Sequence, residues 1–245
     1  MFACRTAAAA VLLLETAGLS PASAATSVAP ARYADAEASL ALSTPISQAA
    51  RTLQTVVAAT SLGGIPVGAQ IMGLSFRLDD SQSAWPVTAI NWSSYSIQLS
   101  SSLFAPGSLS TNFAANIGPD VVTVRSGALA VQPFSYPADQ VPNEFGSRIT
   151  FSTPYTYRGG PLLVTIRHSG NGSSDHFVDA APDLAGEFQT IYNPAGENAT
   201  TATFKGRTPV FQVYYTVVPE PAGVLPLAML GLGWLTVRRR NRARV

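Results

Sequence analysis

Few side chains in this chain have chemistry to offer. Histidine occurs twice: His168 closes the run Leu162-Leu-Val-Thr-Ile-Arg167, and His176 sits in Ser174-Asp175-His176-Phe177. A serine hydrolase needs one imidazole between a hydroxyl and a carboxylate, and on spacing alone either ring qualifies. No Gly-x-Ser-x-Gly elbow is present, and among 25 serines a Ser/His coincidence carries no information. Zinc chemistry lacks both His-Glu-x-x-His and a cysteine pair. The stretch Gly63-Gly64-Ile-Pro-Val-Gly68 lacks the Lys-Ser/Thr of a phosphate loop. Asp175, Asp179 and Asp183 fall around one loop or strand edge and are the candidate ligands of a structural calcium, with Asp79-Asp80 at another strand end. Solvated turn carboxylates are the competing reading. As a glycosidase pair, two of them must face each other across a cleft. Trp85, Tyr155 and Tyr157 are the candidate saccharide-stacking residues if they lie in loops, and packing residues if they lie in the core. Trp92 is assigned to the core.

These residues have to be held by short strands. In Gln70-Ile-Met-Gly-Leu-Ser-Phe-Arg-Leu78, residues Met72, Leu74, Phe76 and Leu78 share one face, with Ser75 and Arg77 on the other. Tyr95 to Ser100 alternates in the same way. Further strands are expected at 121–125, 128–132, 148–151, 162–167, 176–178, 188–192 and 210–217. The best helical stripe, Ser47 to Ala59, fits one short helix or a first strand. About nine short strands separated by Gly and Pro predict an all-β fold, an antiparallel β-sandwich or jelly roll. No internal repeat suggests a solenoid or propeller.

With 47% apolar and 12% charged residues, the chain can build a core and is not a charge-rich disordered polymer. Its 15 basic and 14 acidic residues nearly cancel, so no nucleic-acid partner is implied. The exposed strand faces are supplied by 25 Ser and 21 Thr against a single lysine, Lys205.

The two ends differ from the middle. Arg5, an apolar run to Leu14 and Pro21-Ala22-Ser23-Ala24 have the layout of a secretory signal peptide over residues 1–24, with Ala25 as the mature start. The only cysteine, Cys4, would leave with it. Residues 25–52, rich in Ala, Ser and Pro, are expected as a flexible leader, and 53–217 as the folded ectodomain. At the C-terminus, Val218-Pro219-Glu220-Pro221 precedes sixteen uncharged residues, 222–237, and then Arg238, Arg239, Arg240, Arg242 and Arg244. The uncharged stretch is expected as one transmembrane helix, and the arginines as a cytoplasmic anchor that leaves the domain outside.

This end resembles the PEP-CTERM sorting signal: a Val-Pro-Glu-Pro motif, a Gly/Leu-rich span and a final arginine cluster, matched over residues 218–245. The resemblance implies an exosortase-type membrane transpeptidase as partner and a host that makes exopolysaccharide. It also implies transient inner-membrane anchoring before release to the cell surface or extracellular space. Pro106 to Gly118 and His176 to Ala180 are similar to stretches of uncharacterised ectodomains that carry the same signal, which implies a shared β-rich fold and no particular activity.

The expectation is an exported cell-surface or extracellular-matrix protein, structural or adhesive, associated with exopolysaccharide and without catalysis or cofactor. A carbohydrate-binding module and a secreted hydrolase are the alternatives.

Overall fold

The structure, a computed structural model, describes residues 23–173 and 175–217. Ala22 of the expected cleavage site and the whole expected sorting signal, 218–245, lie outside the described residues. Within them no helix is long and apolar enough to cross a membrane.

The described chain is all-β, and its helical turns are 3-10 turns of three or four residues. In chain order the strands are β1 (Ser23–Ala29), β2 (Leu40–Leu42), β3 (Arg51–Val57), β4 (Gln70–Phe76) and β5 (Ile90–Trp92). Next come β6 (Tyr95–Ser101), β7 (Val122–Arg125), β8 (Leu129–Val131), β9 (Ile149–Thr156) and β10 (Leu162–His168). The last five are β11 (Val178–Pro182), β12 (Phe188–Asn193), β13 (Phe204–Lys205), β14 (Arg207–Pro209) and β15 (Phe211–Val217). They form a four-stranded sheet β1-β15-β4-β9, a six-stranded sheet β13-β12-β3-β10-β6-β7, and smaller sheets β14-β11-β2 and β5-β8. Every paired strand is antiparallel.

One apolar cluster joins these sheets. Leu53 and Val57 of β3, Val164 and Ile166 of β10, and Ile97 and Leu99 of β6 meet Leu74 and Phe76 of β4 and Phe211 and Val213 of β15 in it. The stripe from Ser47 to Ala59 resolves as strand β3, central and buried from Thr52 onward. A strand covered on both faces loses the polar half of its alternation. Gln54 stays buried because its amide donates to Phe113 O and Thr165 Oγ1, while Asn116 donates to its Oε1.

Three expectations are corrected. Residues 25–52 are not a free leader: β1 zips onto β15 over seven residues, and β2 pairs with β11. Small hydroxyl and alanine side chains leave no periodic signature, but their backbone completes the sheet. Arg77 does not face solvent from its strand; it is 1% exposed and paired with Asp179. A bulge at Met72, between the Ile71 and Gly73 pairings, also interrupts the face on which Met72 was expected.

Register fixes where the chain enters and leaves. Ser23 pairs with Val217, and Thr216 with Gln70, so the first and last described residues are neighbours at one end of the four-stranded sheet.

Candidate functional sites

The three candidate stacking aromatics are core residues. Trp85 is 2% exposed, set edge-on to Trp92 and packed against Tyr136 and the His176 ring, which lies 4.9 Å away. Tyr155 is buried and donates its hydroxyl to Asp120 Oδ2 at 2.7 Å; burial, and then this carboxylate, push its phenol pKa up. Tyr157 is buried with its hydroxyl on Gly160 O. None of the three offers an open ring face to a sugar. Trp92 is in the core, as expected.

Nor do the three aspartates share a site. Asp175 Oδ1 accepts from Ser47 Oγ and from the Gln48 amide. Asp179 is wholly buried, accepting from the Ala38 amide and from Nε and Nη2 of Arg77. Asp183 accepts from the Thr190 amide and Thr208 Oγ1, and burial raises its pKa despite those bonds. Each carboxylate is spent on a different strand connection, so the expected calcium ligand set is not assembled.

A different acidic group does converge. Single oxygens of Glu37, Asp79 and Asp80 lie within 4.8 Å of one another, the one such group among the described residues. Asp79 Oδ1 accepts from the Ser81 amide and hydroxyl, and Glu37 Oε1 from the Asp80 amide. Glu37 Oε2 is buried with no hydrogen-bond partner. Burial first, and then the Asp179 charge, push the Glu37 pKa up to about 7. Asp79-Asp80 is visible in the sequence, whereas Glu37 arrives from the distant segment that leads into β2.

His168 is fully buried at the end of β10. Its Nε2 lies 2.7 Å from Thr44 O, and its Nδ1 accepts from the Gly170 amide at 3.0 Å. Those partners fix the neutral ring with its proton on Nε2. Burial lowers its pKa to about 4. A ring whose two nitrogens are both taken by main chain has no lone pair for a nucleophile.

One cavity escaped the sequence reading. It has a volume of about 220 Å³ and lies between β12, β13 and the loop that follows β6. Leu109 and Ile191 supply apolar lining, Thr111 and Gln189 polar lining, and β13 closes one side, with Lys205 on the face of Ile191 and the Phe204 ring on the other face, stacked on Tyr192. Gln189 is 6% exposed, and its Oε1 accepts from the Gly107 and Leu109 amides at 2.9 and 3.0 Å. The uniqueness of Lys205 was its one visible signal.

Of the expected signal-cleavage residues, Ala24 and Ala25 lie in β1, opposite Thr216 and Tyr215. Compared with known protein families, with curated proteins and with solved structures, the chain has no match.

Proposed function

We propose that this chain is an exported protein of the cell surface or extracellular matrix, structural or adhesive in role and not catalytic. Its C-terminal segment holds it at the membrane until an exosortase-type transpeptidase removes that segment. The domain is read as an antiparallel β-sandwich or jelly roll, its two larger sheets sharing one core. The observation that supports the reading is the pairing of β1 with β15, which begins at Ala25 opposite Tyr215 once residues 1–24 are removed. The first and last strands of the domain are thus paired with each other, and the proposed export and anchor segments join that one pair. The hydrolase alternative draws no support from His168, whose nitrogens are engaged by main chain. The carbohydrate-binding alternative draws none from Trp85, Tyr155 or Tyr157, which are buried.

The test is mass spectrometry of the mature product, made from the full chain in a host with an exosortase-type enzyme. Expected are loss of residues 1–24 and loss of the tail beyond the Pro219-Glu220-Pro221 motif. Replacing that motif with alanines should leave the product uncut in the membrane fraction. A mature protein that keeps both Met1 and Arg238 to Arg244 would sink the reading.

A further inference from the structure

We propose that a second cavity, on the outer face of the four-stranded sheet, is a docking site for a basic peptide segment of a partner protein. The cavity has a volume of about 460 Å³, within the roughly 300–1,000 Å³ of ligand sites, and is walled by residues 34–35 and 140–145. Register places its floor on one face. Gln212 of β15 stands opposite Ser75, Arg77 lies two residues beyond Ser75, and Phe145 bridges to Arg77 from the other side. Residues directly opposite or two apart point the same way. Gln212, Arg77 and Phe145 therefore meet on the face turned away from the core residues Phe76 and Phe211. The guanidinium carbon of Arg77 lies 5.4 Å from the centre of the Phe145 ring, as that register requires.

Arg77 is the group that points to a ligand. Its side chain is 1% exposed, and Nε and Nη2 are engaged by Asp179 and Ala36 O. Nη1 has no acceptor among the described residues. The sealed side-chain polar atoms without a partner there are Glu37 Oε2 and Trp92 Nε1, so Nη1 is not sealed in and opens onto the cavity that Arg77 lines. It presents two N–H donors, held in direction by the bonds at the other two nitrogens. Asp179 offsets the arginine charge, so these donors suit a neutral oxygen such as a peptide carbonyl. The Gln212 side chain, which makes no hydrogen bond among the described residues, adds a free carboxamide beside them.

The rim asks for a cation. Asp35 and Glu144 line the cavity, both exposed, and neither belongs to a salt bridge among the described residues. Glu37, Asp79 and Asp80 add to the same negative field. Asn143 of the cavity wall donates to Leu78 O and Asp79 O, which sets that acidic turn beside it. Among the described residues no basic side chain but Arg77 lines the cavity. Val141, 70% exposed, and Phe145 form an apolar wall along which the methylene stem of a lysine or arginine lies while its head reaches the rim. A carbonyl on the floor, an aliphatic stem on the wall and a cation at the rim together describe a basic peptide. An anionic chain is repelled by the field, and a bare polyamine leaves Nη1 unmet. This site does not depend on how the chain is exported, and its failure would leave the processing test above unaffected.

The experiment is calorimetric titration of the full chain, held in a non-ionic detergent at low salt. The probes are trilysine and triglutamine, both acetylated and amidated, and spermidine, which matches the charge of blocked trilysine without its carbonyls. Saturable trilysine binding is expected, tighter than triglutamine and tighter than spermidine, and weakened as salt screens the rim. Asp35→Asn and Glu144→Gln alter exposed, unpaired side chains and should each weaken trilysine about two- to fivefold, the scale of one surface charge pair. Glu197→Gln, the same charge change in the turn after β12, should not. In spectra of nitrogen-15 arginine-labelled protein, the Arg77 guanidinium signals should shift with trilysine and stay in place with spermidine. The inference is overturned if trilysine does not bind, if triglutamine or spermidine binds as tightly, if both rim variants leave binding unchanged, or if the Arg77 signals do not move.

Discussion

Arg77 and Asp179 form an ion pair that is almost wholly withdrawn from water, with Nη2 2.6 Å and Nε 2.9 Å from the same Oδ2. The second oxygen of the aspartate accepts the Ala38 amide, and Arg77 Nη2 also donates to Ala36 O. The pair thus ties β4 and β11 to the segment that leads into β2. Breaking it from one side strands a charge in the core. Asp179→Asn is expected to cost about 3–5 kcal/mol in urea unfolding, and the double change Arg77→Met with Asp179→Leu much less. Equal losses for the single and double variants would contradict this account.

In acid, His168 and Glu37 act in opposite directions. His168 takes a proton near pH 6.5 when unfolded but only near about 4 when folded, so between these values the unfolded state holds more protons. Stability from this ring is complete above about pH 6.5 and lost as pH falls to about 4, a swing of about 3 kcal/mol. Glu37, raised from 4.5 to about 7 by burial and by Asp179, Arg77 opposing, runs the other way: its contribution is complete below about 4.5 and lost as pH rises through 7. The parent should therefore show a shallow pH dependence between pH 5 and 6.5, and Glu37→Gln a steep rise with pH. Unfolding midpoints across that range check the slopes. Nitrogen-15 spectra of the parent should show His168 neutral at pH 5.

Gly170 lies at φ +83° in the turn after β10, and a Cβ there would run into Gln48 O and the Ala49 backbone. Its amide is also the donor to His168 Nδ1. Gly170→Ala is expected to cost at least about 2 kcal/mol, through strain and loss of that bond together. It should also move the His168 titration upward, a readout that a purely steric change would not shift.

Amide exchange should distinguish the paired strands. β15 is gripped by β1 on one side and β4 on the other, whereas β1 has one free edge. In the full chain, amides along β15 should be protected nearly throughout, except near the bulge at Tyr214 and Tyr215, while those of β1 should alternate between slow and fast. Uniformly fast exchange across β1 would mean that it does not belong to the sheet.

The strands legible in the sequence are those with one dry and one less dry face. Tyr95, Ile97 and Leu99 on β6 mark theirs, as do Phe211 and Val213 on β15. β1 was not legible because Ala24, Ala25 and Thr26 have no apolar rhythm, and its partner lies at the far end of the chain. Alternation placed Arg77 on the face opposite Phe76 but could not tell that Asp179, on the strand bonded alongside residues 77–79, meets it there. Ring type identified Trp85, Tyr155 and Tyr157 as sugar-stacking candidates, although aromatic rings serve cores at least as often. The cavity beside Lys205 needed Gln189 and a loop some eighty residues upstream to meet, and no local pattern announces that meeting.

The pairing of Ser23 with Val217 also has a mechanical side. A load entering through residue 218 pulls along β15, an interior strand of its sheet, and must shear it past β1 and β4 together. All the rungs on both sides are stressed at once rather than one after another. A pull applied between the two chain ends would instead open the β1–β15 pair from its Ser23 end like a zipper, one rung at a time. A domain held by its last strand, which is interior to its sheet, therefore resists a steady pull better than one held by its first, which is an edge strand.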